Sequence, residues 1–140
     1  MVSVTKTTRD HMQIQYFRFW QTYPVLNLIY QGSTSGKLRY AAKKNARKMQ
    51  DHHEDIMEWI RGDKLDHSWE GDNIPFDDKA FIDRFEKYLL ETAEEFEPHY
   101  FPEDLMQYAD GITGEQENAV SWLFEENKPE KEEDDEGNGE

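Results

Sequence analysis

Six of the chain's sixteen Lys and Arg residues fall between positions 37 and 48: Lys37, Arg39, Lys43, Lys44, Arg47 and Lys48. Cations packed this closely around an aromatic, Tyr40, are suited to contacting phosphates while the ring stacks on a base. A few residues on, His52, His53, Glu54, Asp55 and Glu58 combine imidazoles with carboxylates. Such ligands three or four apart on a helix, as His52 and Asp55 are, can share a metal ion. The HExxH spacing is missing, because His53-Glu54 is followed by Asp55, Ile56 and Met57. Nothing in the sequence brings His67 or His99 to complete a ligand set. His53 is therefore read as part of an apolar stripe and its neighbours as a solvated face, with no metal site. A third grouping is acidic: Asp83, Glu86, Glu91, Glu94 and Glu97 would line one exposed face of a helix spanning 79–97. Successive acids there would lie about 4.5–7.5 Å apart along the axis.

Other chemistry is thin. Arg47 and His52 have an R-x4-H spacing that resembles the RNase motif of the HEPN helical family. That family places its motif late in the fold, whereas here it is early, so no catalytic role is carried over. The segment Asp72-Asn-Ile-Pro-Phe76 resembles the acidic tip of bacterial single-stranded-DNA-binding proteins. In those proteins the tip ends in a free carboxylate, and this chain continues with Asp77, so Ile74 and Phe76 are read as core anchors. There is no Gly-rich phosphate loop and no G-x-S-x-G elbow. With no cysteine, thiolate nucleophiles, disulfides and cysteine zinc sites are excluded. No catalytic residue and no cofactor is assigned, and the chain is not read as an enzyme.

These residues must be positioned by helices. Gly36 to Arg61 reads as one long helix, with Leu38, Ala42, Ala46, Met49, His53, Ile56 and Ile60 on a stripe. Thr34 or Ser35 would cap its start and Gly62 would end it. Its cations precede its acids, an order that opposes the helix dipole and points to a partner. Before it, residues 1–6 read as a loose arm. Thr7-Thr8-Arg9-Asp10 would cap a helix from Arg9 to Tyr23 carrying Met12, Tyr16, Phe19, Trp20 and Tyr23, widened by Ile14 and Phe17. Pro24 would break or kink it, or open a short second helix. After it come an irregular stretch anchored by Leu65, Trp69, Ile74 and Phe76, then a helix 79–97 capped by Asp77 or Asp78. Its stripe is Phe81, Phe85, Tyr88, Leu89, Thr92 and Phe96. A short turn from Pro102 to Tyr108 closes near Gly111, and a Thr113/Gln116 capping box starts a last helix. No alternating strand stands out. The fold class is thus all-α: a small single-domain bundle of four to five helices over 1–124, with an acidic, disordered tail over 125–140.

Charge divides the chain. Residues 1–49 hold nine Lys/Arg against one acid, and residues 50–140 hold seven against thirty, within a net charge of −15. No apolar run is long enough to span a bilayer and no signal-peptide pattern follows Lys6 and Arg9, so a soluble cytoplasmic protein is expected. The leading functional expectation is a non-enzymatic nucleic-acid mimic. Its acidic face would occupy the basic channel of a nuclease, polymerase or defence complex, and the chain resembles phage-encoded acidic inhibitors in size and charge. One alternative is direct nucleic-acid binding by the basic 37–48 segment, with the acidic tail as regulator. Another is a small viral assembly or chaperone protein. An exposed Tyr16-Phe17-Phe19-Trp20 face would indicate a homodimer or partner interface.

Overall fold

The computed structural model describes residues 12–129; the expected arm, the Thr7–Asp10 cap and tail residues 130–140 lie outside them. The chain begins with strand β1 (Met12–Gln15), enters helix α1 (Tyr16–Gly32) and turns within three residues into helix α2 (Gly36–Asp66). Helix α3 (Lys79–Glu91) leads directly into strand β2 (Ala93–Phe96). A 3-10 helix (Glu103–Tyr108), a short helix α4 (Gly114–Val120) and two final 3-10 turns complete the order. The fold is a small, mainly helical domain with one strand pair. Among the described residues no helix is long and apolar enough to cross a membrane.

Helix α2 is the spine. Its 31 residues reach about 46 Å at 1.5 Å per residue, nearly twice the length of α1. Ser35 caps it by accepting a hydrogen bond from the Leu38 amide at 3.2 Å. Leu38, Ala42, Met49, Ile56 and Ile60 are buried along one side, as their spacing requires. The helix does not stop at Gly62. Asp63, in the next position, is buried and takes a bidentate pair from Arg84 of α3 at 2.7 and 2.9 Å. That tertiary tie outweighs the weak helix propensity of a single glycine, about 1 kcal/mol, and the left-handed residue comes later, at Ser68 (φ 55°).

Helix α1 runs unbroken through Pro24. A proline inside a helix costs about 3 kcal/mol, but Val25, Leu26 and Ile29 beyond it are all buried and pull the chain onto the core. The helix starts at Tyr16 and not near Arg9. Residues 12–15 instead pair antiparallel with β2, Met12 opposite Phe96 and Gln15 opposite Ala93, and the Tyr16 amide extends the ladder to the Thr92 carbonyl at 2.8 Å.

The core gathers Phe19, Leu26, Ile29, Leu38, Met49, Phe81, Val120 and Leu123. Around it lies an aromatic wall in which Trp59 stacks on Tyr88 at 4.8 Å and Trp20 meets Phe85 edge-on at 5.1 Å. Tyr16 and Phe19 are buried while Phe17 is 37% exposed, so the Tyr16–Trp20 segment faces mostly inward. Three expected anchors are exposed instead: Leu65 at 80%, Phe76 at 52% and Trp69 at 40%. Leu65 lies on the last turn of α2, whereas Phe76 still touches Trp20, Phe81 and Phe85 with its inner edge. The Thr113/Gln116 capping box forms with both bonds present. Past Phe124 the turn Glu125–Asn127 remains tied to the body, its Glu125 amide donating to the Phe101 carbonyl at 2.8 Å.

Candidate nucleic-acid interface

The first half of α2 builds the most coherent charged surface. Arg39, Tyr40, Lys43, Lys44, Arg47 and Lys48 line one groove of about 470 Å³, and Tyr30 from the end of α1 joins them. The hairpin of α1 and α2 explains this: three linking residues bring Tyr30 alongside the first turns of α2. The Arg39 guanidinium and the Lys43 ammonium both lie 4.9 Å from the Tyr30 ring centroid. The two cations beside the Tyr30 hydroxyl, Arg39 foremost, hold its pKa below the ordinary value. Lys44 sits 5.6 Å over the Tyr40 ring. Lys37, the seventh residue of the expected set, lines an adjoining concavity.

Among the described residues no carboxylate forms an ion pair with Lys37, Arg39, Lys43, Lys44, Arg47 or Lys48. The pairs present there are Arg61–Glu58, Lys79–Asp83, Arg84–Asp63 and the His67–Asp63 contact. Lys48 is held, but by a backbone carbonyl, that of Glu97 at 2.9 Å. One wall of the adjoining concavity is pinned by Asn45, a fully buried side chain of α2. Its amide donates to the His99 carbonyl at 2.8 Å and its oxygen accepts the His99 amide at 2.9 Å. His99 thereby meets Tyr40 edge-on at 5.6 Å. Burial, and then the charges of Lys44 and Lys48, push the His99 pKa down from its ordinary value. Sequence reasoning missed Tyr30, Asn45 and His99, because their roles come from contacts between elements.

The acidic residues are not assembled as one helical row. Asp83, Glu86 and Glu91 lie on α3, but that helix ends at Glu91, and Thr92 is extended. Glu94 belongs to β2 and Glu97 follows it. The cause is the pairing with β1, which draws residues 93–96 into a strand. Glu94 instead comes near Tyr16, whose hydroxyl donates to Asp55 at 3.0 Å. Burial, followed by Asp55 and Glu94, raises the Tyr16 pKa, and burial with Asp55 pushes Tyr88 up to about 12.

The histidine cluster is absorbed by packing. His52 stacks on Phe19 at 4.6 Å, and His53 stacks on Tyr23 at 4.3 Å and on Trp20 at 5.9 Å. Among the described residues no group of three or more His, Asp or Glu side chains is placed to hold a metal ion. Arg47 points into the basic groove while His52 joins the aromatic wall, so the R-x4-H pair shares no site. No protein-family model, no curated protein and no solved structure matches the chain.

Proposed function

We propose that this chain is a non-enzymatic nucleic-acid-binding module whose basic groove on α2 takes the phosphate backbone. One observation carries the reading. Six cationic side chains sit on twelve consecutive residues around two tyrosines, and among the described residues none is neutralised by a carboxylate. The chain holds thirty-one acids, so ample partners exist if the cations served folding alone. Like charges at i,i+4, such as Arg39 with Lys43 and Lys43 with Arg47, cost roughly 0.2–0.5 kcal/mol each. Cations at a helix N-terminus also oppose its dipole. A polyanion offsets both penalties and releases its counterions on binding.

Fluorescence anisotropy with a labelled oligonucleotide across a salt series tests this. About four to six phosphate contacts give a log K against log salt slope of roughly −3 to −4 on a single strand. Replacing Lys43, Lys44 and Arg47 together by Gln makes that slope shallower by about 2. No binding at low salt, or a slope the triple substitution leaves unchanged, contradicts the proposal.

A second proposal keeps the mimic reading but moves its surface. Asp51, Asp55 and Glu58 follow one stripe of α2, and the strand pair sets Glu94 near Asp55 across Tyr16. Acids from two elements held in fixed relation support competition for a basic channel in a nuclease, polymerase or defence complex. Reversing Asp51, Asp55 and Glu94 to Lys should abolish capture of such a partner, whereas reversing Asp83 and Glu86 should not.

A further inference from the structure

Beside the basic groove lies a second concavity of about 380 Å³, lined by Tyr40, Ala41, His99, Phe101, Pro102 and Leu105 among others. Its walls are mostly aromatic and aliphatic, while those of the groove are cationic. Tyr40 lines both. The residue is 59% exposed, so it contributes little to the core. The opposite wall is built in place: Asn45 fixes the His99 backbone by two hydrogen bonds, and the Phe101 amide donates to the Leu123 carbonyl at 3.1 Å.

We infer that groove and slot together take a single-stranded nucleic acid, its phosphates along Arg39 to Lys48 and one unstacked base against Tyr40 in the slot. This rests on the groove being the phosphate-binding surface. The chemistry selects the strand. A base in a duplex has both faces covered by its neighbours, and presenting one to Tyr40 requires unstacking it. A single strand offers its base faces freely, and stacking on an aromatic ring tolerates any base. Duplex DNA has the higher charge density, so a groove acting by charge alone has no reason to prefer the single strand. The apolar slot is what reverses that order.

The test compares three labelled probes of equal length on the full chain at one salt concentration: oligodeoxythymidylate, the same strand made abasic, and a duplex. The expected result is binding to oligodeoxythymidylate about fivefold or more tighter than to the abasic strand, with the duplex also weaker. Tyr40→Ala, which keeps every charge, removes that difference, and Tyr40→Phe restores it because the ring face does the stacking. Circular dichroism confirms that both variants fold. Equal binding of all three probes with no effect of Tyr40→Ala overturns the single-strand inference and leaves the phosphate groove standing. Binding to none of them overturns both.

Discussion

Asn45 shows how one side chain can hold a surface together from beneath. It spends its amide on the Ala41 and His99 carbonyls and its oxygen on the His99 amide, with no exposure to solvent. Asn45→Ala leaves the half-buried His99 carbonyl and amide without these partners, which costs about 1–2 kcal/mol. Urea denaturation should show that loss, and the variant should also lose the preference for base-bearing strands as the His99 wall loosens. His53 makes a second residue-level case. Its Nδ1 is buried and, among the described residues, has no hydrogen-bond partner; burial lowers its pKa from the ordinary 6.5 despite the opposing charge of Glu54. The unfolded chain therefore takes up a proton near pH 6.5 while the folded chain resists until lower pH. Below 6.5 the unfolded state binds more protons, so stability is full above that value and falls as pH drops, by at most about 1.4 kcal/mol per pH unit for each such histidine. His99, lowered in the same direction, adds to the slope. His53→Phe should flatten stability between pH 7.5 and 5; an unchanged slope would mean that His53 does not drive it.

Among the elements, the long helix was legible in the sequence and the strands were not. The α2 stripe repeats over six apolar positions and His53 and carries a Ser cap, and the Thr113/Gln116 box likewise announces its helix within four residues. The strands have four residues each. Met12-Gln-Ile-Gln15 does alternate, but four residues fit a helix face equally well, and Ala93-Glu-Glu-Phe96 alternates hardly at all. Only their pairing across some eighty residues defines them, and it is this pairing that divides the expected acidic row. The basic residues were legible because they are local; the groove and the adjoining concavity were not, since Tyr30 reaches the first and His99 the second from other elements. Pro24 gives an element-scale prediction. It is exposed within a continuous α1, so Pro24→Ala should restore the missing backbone hydrogen bond. Allowing for the extra entropy of the unfolded chain, the gain is about 1–2 kcal/mol. No rise in the denaturation midpoint would mean that α1 is already adapted to the ring.

At the scale of the whole molecule, a net charge of −15 surrounds a groove that is locally positive. Association with a polyanion is then a contest between a long-range repulsion and a short-range attraction, and salt screens the first over about 10 Å at 0.1 M. Residues 130–140 hold seven acids and one lysine, so removing them brings the net charge to −9. That truncation should speed association with an oligonucleotide at low salt and leave dissociation nearly unchanged, as stopped-flow anisotropy would record. A faster dissociation would instead mean that the segment contributes a contact of its own. Where the strand sits is read out residue by residue by amide chemical-shift mapping with unlabelled oligodeoxythymidylate. A strand seated in groove and slot shifts the amides of Tyr30, of Arg39 through Lys48 and of His99 to Phe101, and leaves Asp83 to Glu91 silent. Shifts centred on the acidic stretch Asp51 to Glu58, or none at all at low salt, would contradict that seating.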